Sequence, residues 1–386
     1  MSEIDPCVLL LTCGAWHLPQ TAKAFAERDS LAGLWITLGN QTGVPREKFH
    51  RAWPFQAAML PLYKFAPQIW VERGFYSAIP LWKWWLARQH FPRCNVVQAI
   101  IGYGEEPFRR AERSAALKVI DCPNSHPASY HNIWQRECDL WCPGEKVPVP
   151  RWMFQRMTRD LDRADLIVVQ SKFCRESMIE NGIPAEKVSV HPLGVDLTTF
   201  TSRLNVPEKI RFVCVATICL RKGHQYLFRA WELVRRKLPD AELICVGPYK
   251  NDFRKERRKW EGTFIHHEHL SPPQIAEQLR NATAFVFPSQ EEGIARAQME
   301  ALACGVPVIG THEAGTTTLV DDGIEGLIVR RNDPAQIAAG MIRLAQDRQS
   351  NLNMGRAALR RVAGRTWQTY GDELLAEYEK RLAARS

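Results

Sequence analysis

No stretch of about eighteen uninterrupted apolar residues occurs in the 386-residue sequence, so no helix able to span a bilayer is expected. Residues 1–6 (MSEIDP) carry two acids before the first apolar run, the reverse of a secretory signal's basic start, and a cytosolic protein is expected. No Cys-x-x-Cys pair is present. The eleven cysteines are irregularly spaced, and Cys7, Cys13, Cys214 and Cys245 lie inside apolar runs, where they read as small buried hydrophobes in a reducing compartment. Cys138 and Cys142 sit four apart with no second pair or suitably spaced His, so no metal site is expected. There is no internal repeat or low-complexity segment, and no recognition helix or RNA-binding signature points to nucleic acid.

What is present is 45% apolar and 24% charged residues, which excludes disorder. The 51 Lys and Arg against 42 Asp and Glu leave +9, a balance that favours anionic partners. The densest basic stretch, Lys250–Lys259, is broken by Asp252 and Glu256 and reads as a solvated helix face. The length suits two domains, each with its own core.

Short β-branched runs alternate with helical stretches, the pattern of parallel strands joined by crossover helices. One group comprises Val8–Thr12, Leu34–Leu38, Val96–Ile101, Leu117–Asp121, Leu166–Gln170 and Val188–His191. A second comprises Arg211–Ala216, Ala241–Val246, Thr263–Ile265, Ala284–Phe287, Val306–Ile309 and Gly326–Val329. The aperiodic connection His191–Ile210 separates them. The expected organisation is an α/β protein with two Rossmann-like, doubly wound domains, residues 1–200 and 201–365, and a helix over 366–386 packed on a domain surface. Ligands of such sheets bind beyond the strands' carboxyl ends, so the cleft between the domains is the first place to look. Pro54–Pro92 is rich in Trp, Pro and Lys; Trp82, Trp84, Trp85 and Leu86 with Lys83, Arg88 and Arg93 suit either a membrane interface or buried aromatic packing.

The strongest local constellation is FPSQEEGIARAQMEALACGVPVIG, Phe287–Gly310. A strand stops at Pro288, a turn with Gly293 follows, and Arg296–Cys304 has helical composition. Backbone N–H groups of Gly293, Ile294 and Ala295 at that helix start can receive an anion. Glu292 lies just before the helix and Glu300 within it. A second candidate is Arg221 and Lys222 beside Gly223, two cations ahead of a helix that can clamp a diphosphate.

Together these pieces resemble glycosyltransferase family 4, with its GT-B architecture. The resemblance rests on GVD at Gly194–Asp196, RKG at Arg221–Gly223, PSQEEG with Glu292 and Glu300 eight apart, ALACGVPVI, and EAGTTTLVDDGIEGLIV. It implies transfer of a sugar from a nucleotide-sugar with retention of configuration, to a saccharide or glycolipid acceptor, in bacterial-type polysaccharide or glycoconjugate synthesis. No cofactor is implied beyond the nucleotide-sugar co-substrate. Glu292, His126, Arg221 and Lys222 are the implied catalytic set, with Gly293, Ile294, Ala295, Glu300 and Gly14 on the donor. His126 follows from the SSH-type loop of the family, here NSHP, with His131 its neighbour and competitor. A peripheral contact with the inner membrane face fits such acceptors. Asp321-Asp322 reads as a turn and Asp160-x-Asp162 as a helix face, and the cation clamp makes a metal unnecessary. Three departures stand out: Ala216-Thr217 in place of Gly-Arg, Ala295 for a Gly, and Thr318 for an acid. Another GT-B enzyme, such as a sugar-nucleotide epimerase or phosphorylase, and a catalytically silent nucleotide-sugar-binding protein are the alternative readings.

Overall fold

A computed structural model describes residues 5–14, 17–39, 43–65, 74–203 and 205–385. Part of the acidic start (1–4), of the Trp-rich stretch (66–73), of the interdomain connection (204) and of the tail (386) lies outside the described residues.

The first sheet contains β1 (Val8–Thr12), β2 (Leu31–Ile36), β3 (Phe49–Arg51), β4 (Val96–Ile100), β5 (Leu117–Cys122), β6 (Leu166–Val169) and β7 (Val188–Val190) in the order β3-β2-β1-β4-β5-β6-β7. The second contains β8 (Arg211–Val215), β9 (Glu242–Val246), β10 (Ile265–His267), β11 (Ala284–Phe287), β12 (Val308–Thr311) and β13 (Gly326–Val329) in the order β10-β9-β8-β11-β12-β13. Every pairing is parallel, with Leu10 opposite Leu34 and Phe285 opposite Val308 in the central registers. Central strands such as Val8–Thr12 and Ala284–Phe287 are buried along their whole length, as helices on both faces of a parallel sheet require. The strand order reverses between β1 and β4 in one sheet and between β8 and β11 in the other. These switch points open crevices beyond the strand ends, where Gly14, Thr217 and Pro288 follow.

Three strands differ in position from the sequence reading. β2 begins three residues earlier than the expected Leu34–Leu38, and β10 lies at Ile265–His267 rather than Thr263–Ile265. β12 starts at Val308, beyond Pro307, which has no N–H for a ladder and contributes only its carbonyl, accepting from the Phe285 amide at 3.0 Å. The short edge strand β3, FHR, gives no apolar run and is invisible to periodicity.

The closing helix, Trp367–Ala383, returns to the first domain. It packs on helix Leu18–Ala26, pairs Asp372 with Arg28 at 2.8 Å, and donates the Tyr378 hydroxyl to Gln98 Oε1 at 2.8 Å. Gln98 in turn donates to the fully buried Asp121, whose carboxylate also meets Gln170 at 3.1 Å and His17 at 2.9 Å. Three partners on one buried carboxylate offset its desolvation. The chain therefore crosses between domains twice, at 191–210 and near 365, and the two crossings touch where the Val195 amide donates to the Arg365 carbonyl at 2.9 Å.

The Trp-rich segment divides. On helix Ile79–Leu86, Trp82 and Trp85 are buried and stack on each other at 5.4 Å, with Trp35 against Trp85 and Tyr103 against Trp82. Burying each such ring is worth about 1.5–3 kcal/mol, so packing, rather than a membrane, accounts for these two. Trp84 remains on the surface, edge-on to the exposed Trp53 and under the Arg88 guanidinium. Among the described residues no helix is long and apolar enough to cross a membrane. Two charged features also move inward. Asp252 and Glu256 are buried, Asp252 receiving the Trp134 indole N–H at 3.1 Å. Asp160, expected on a helix face, is fully buried and accepts the amides of Gly102 and Gly104 at 2.7 and 2.9 Å, pinning the loop after β4; burial pushes its carboxyl up to about 7.

Candidate active site

A cavity of about 970 Å³ lies between the facing strand ends of the two sheets. The first domain contributes Gly14, Tyr76, Tyr130 and Trp134; the second contributes Thr217, Arg221, Lys222, Glu292, Ala295 and Glu300. Six residues implied from the sequence as catalytic or donor-binding thus line one space: Gly14, Arg221, Lys222, Glu292, Ala295 and Glu300.

The cations are positioned by a turn that only glycine fits. Gly223 adopts φ +74°, and a Cβ there would lie 1.9 Å from the Pro288 carbonyl oxygen. This turn ends the β8 loop and starts helix His224–Lys237, while tying it to the β11 loop. Arg221 donates through Nη1 to the Glu291 carbonyl at 2.7 Å and carboxylate at 3.0 Å, and lies 3.5 Å from Glu292. Its guanidinium also faces the rings of Tyr130 and Trp134 at 5.4 and 5.6 Å. Lys222 is ion-paired with Glu292. Burial and the adjacent Arg221 push the Lys222 ammonium well down, and the Glu291 carboxylate is among the groups that oppose the shift.

Glu300 makes no ion pair among the described residues. Burial pushes its carboxyl up to about 7, with Arg296 opposing the shift. The neighbouring Asp196 is held at about 2: hydrogen bonds from the side chains and amides of Thr198 and Thr199 outweigh its partial burial. The Glu300 shift makes a stability prediction. A carboxyl raised from 4.5 to about 7 binds more protons folded than unfolded, so it favours the native state at low pH, and that contribution is lost as pH rises from about 4.5 to about 7. Thermal unfolding of Glu300→Gln is expected to show a flatter pH dependence than wild type across that window. Parallel profiles would contradict the assignment.

One expectation about the helix start needs correction. The Gly293 N–H is not free for a ligand: it donates to the Pro123 carbonyl of the first domain at 3.0 Å. A Cβ on Gly293 would lie 2.4 Å from that oxygen, so the glycine is set by domain contact. The Glu292 amide donates to the Glu313 carbonyl at 2.8 Å. The donors left at the helix start are the amides of Ile294, whose side chain is core, and of Ala295, Arg296 and Ala297, for which no acceptor is found among the described residues; the Gln298 amide already bonds the Ala295 carbonyl at 2.9 Å. His126 also differs from expectation. It is the N-cap of helix Pro127–Trp141, its ring Nδ1 accepting the Ala128 amide at 3.2 Å, and it does not line the cavity. His131 faces a separate groove against Phe154.

Sequence reasoning missed Glu291, Tyr130 and Trp134. The EE doublet contained the signal for Glu291, but spacing alone assigned the role to the second acid. Tyr130 and Trp134 sit four apart on a helix face that turns toward Arg221, visible only once the domains meet. Thr318, at the position of the missing acid, accepts the Lys172 amide across the domains at 2.9 Å.

Two parallel α/β domains joined by a double crossing, with a cation–carboxylate cluster where their strand ends face each other, define the GT-B class. Residues 209–347 match the model of glycosyl transferases group 1, and residues 114–199 match that of glycosyltransferase family 4. The chain belongs to glycosyltransferase family 4. It is 29% identical over 253 residues to a D-inositol 3-phosphate glycosyltransferase of Arthrobacter sp. (strain FB24), covering 61% of this chain and 60% of that one. It is 28% identical to the GDP-mannose-dependent alpha-(1-6)-phosphatidylinositol monomannoside mannosyltransferase of Mycolicibacterium smegmatis, covering 67% of each. The matches span about three fifths of the length of the first of these curated relatives. In fold, sucrose-phosphate synthase from Thermosynechococcus elongatus superimposes with a TM-score of 0.72 at 16% identity, over 98% of this chain and 99% of that one.

Proposed function

We propose that this protein is a retaining, metal-independent glycosyltransferase that moves a sugar from a nucleoside-diphosphate sugar to a saccharide or glycolipid acceptor in polysaccharide or glycoconjugate synthesis, on the cytoplasmic side of the membrane. The observation that carries the reading is the buried pairing of Arg221 and Lys222 with Glu291 and Glu292 in the wall of the cleft. The GDP-mannose dependence in the name of the Mycolicibacterium relative supports a nucleotide-sugar donor, and its phosphatidylinositol monomannoside acceptor supports a glycolipid.

Transfer builds negative charge on the departing diphosphate and positive charge on the sugar ring. Arg221, Lys222 and the amides from Ile294 onward are preorganised donors for the first, supplying the positive charge that a divalent ion supplies elsewhere. Glu292, ion-paired with Lys222 and lining the same cavity, is assigned the sugar hydroxyls and favours oxocarbenium character. Glu300 accepts from the ribose hydroxyls in its ionised form. The departing phosphate oxygen takes the acceptor's proton, on the same face from which the sugar leaves. Incubation of enzyme, donor and acceptor in EDTA, with the product's anomeric configuration read by NMR, tests the whole reading: an unchanged anomeric sense is expected, and inversion or an absolute metal requirement overturns it.

A peripheral membrane contact is assigned to the exposed aromatics rather than to Trp82 and Trp85. Trp53 is 63% exposed, Phe65 78% and Trp84 44%, with Lys64 and Arg88 beside them. Trp53→Ser with Trp84→Ser is expected to lower cosedimentation with anionic vesicles several-fold while leaving thermal stability near wild type. Unchanged cosedimentation would remove the membrane contact.

A further inference from the structure

Glu291 has no role in the transfer chemistry described above, yet it is the most completely enclosed acid of the site. Its side chain is fully buried. One oxygen accepts the Ser125 amide at 2.7 Å; the other accepts Asn124 Nδ2 at 3.1 Å and the Arg221 guanidinium at 3.0 Å. Ser125 and Asn124 belong to the loop after β5 in the first domain, and Arg221 to the loop after β8 in the second. The same carboxylate therefore touches both halves of the cleft.

Its neighbours reinforce the bridge. The Gly293 amide, two residues on, is held by the Pro123 carbonyl, one residue before Asn124. The Cys174 thiol lies 3.7 Å from the Glu292 carbonyl. On its other side Arg221 is flanked by Tyr130 and Trp134, from the helix that begins just after this first-domain loop. If the domains separate, Glu291 loses the Ser125 and Asn124 donors, and Arg221 loses both rings and the fixed orientation of its carboxylate partner. A buried carboxylate stripped of its donors is costly, so the closed arrangement of the loops and the set position of Arg221 stand or fall together.

We propose that Glu291 is a domain latch and positioning residue: by bridging the Asn124–Ser125 loop to Arg221, it makes alignment of the phosphate-facing guanidinium conditional on closure of the cleft. The inference rests on the proposed function only for what Arg221 faces; the latch itself is a statement about domain closure. The consequence for catalysis is that the clamp is competent only when both domains have closed, which keeps water from a half-assembled site.

The test has one arm that needs no substrate. Small-angle scattering of the full-length protein compares wild type, Glu291→Ala, Glu291→Gln and Asn124→Ala. Gln keeps one acceptor oxygen, for the Ser125 amide, and sets an NH2 donor against the donors of Asn124 and Arg221; Ala removes both arms; Asn124→Ala weakens the first-domain arm and leaves the ion pair. Glu291→Ala is expected to have a larger radius of gyration than wild type, with Glu291→Gln and Asn124→Ala between the two. In the kinetic arm, Glu291→Ala and Glu291→Gln both lower kcat about tenfold or more with the acceptor KM within about threefold, because Arg221 alignment rather than acceptor binding is lost. Should Glu291→Ala fail to fold, the Asn124→Ala comparison carries the test, since it leaves no unpaired charge. A Glu291→Ala protein as compact as wild type, or with kcat within twofold of it, overturns the latch. Expansion in a protein that transfers no sugar leaves the latch standing and removes the glycosyl-transfer reading instead.

Discussion

Glu292→Gln is expected to lower sugar transfer by about 100-fold or more, with the fold intact. Two effects add in that one substitution. The carboxylate placed to hold the sugar and favour its positive charge is replaced by a neutral amide. At the same time Lys222 loses the carboxylate with which it is ion-paired, and its position toward the diphosphate is no longer fixed. Burial and Arg221 already disfavour the charged ammonium, so losing the partner strands less charge than in an ordinary buried pair, and the stability cost is expected to fall below the about 3–5 kcal/mol of such a break. Steady-state kinetics with the true donor, beside thermal unfolding, checks both halves; wild-type turnover would sink the assignment.

Lys222→Ala is expected to cost a comparable factor, about 100-fold in kcat, and to weaken donor binding as well. Glu292 is not orphaned by this change, because Arg221 lies 3.5 Å away and can take it over. That takeover is itself damaging, since it turns the remaining guanidinium toward a protein acid and away from the leaving group. Lys222→Arg is expected to restore little: the longer planar fork must fit where Lys222 is enclosed between Phe287 and Glu292. Full rescue by Arg would mean that charge alone, without position, suffices at this site.

Much of the fold was legible because parallel, doubly buried strands announce themselves as short apolar runs, and Ala284–Phe287 and Gly326–Val329 fall where those runs predict. Element ends were less legible. Pro307 moved β12 toward its carboxyl end, and β3 has too few apolar residues to register. At the site, residues marked by type and spacing within one domain, Arg221, Lys222, Glu292 and Glu300, converge on the cavity. What sequence spacing could not reach is what depends on the second domain. The Gly293 amide goes to Pro123 instead of a ligand, and Glu291 answers to Asn124 and Ser125 some 166 residues away. His126 illustrates the reverse error: its position before Pro127 at a helix start is the signature of an N-cap, and capping is what its ring nitrogen does.

The central claim is that a metal-free cluster of Arg221, Lys222 and helix-start amides holds a nucleoside diphosphate. Calorimetric titration of the full-length protein with UDP, GDP and ADP in EDTA tests it most directly. Binding of one of the three that is undiminished by EDTA and lost in Lys222→Ala is the predicted result. Absence of binding by all three, or binding that appears only when a divalent metal is restored, would contradict it.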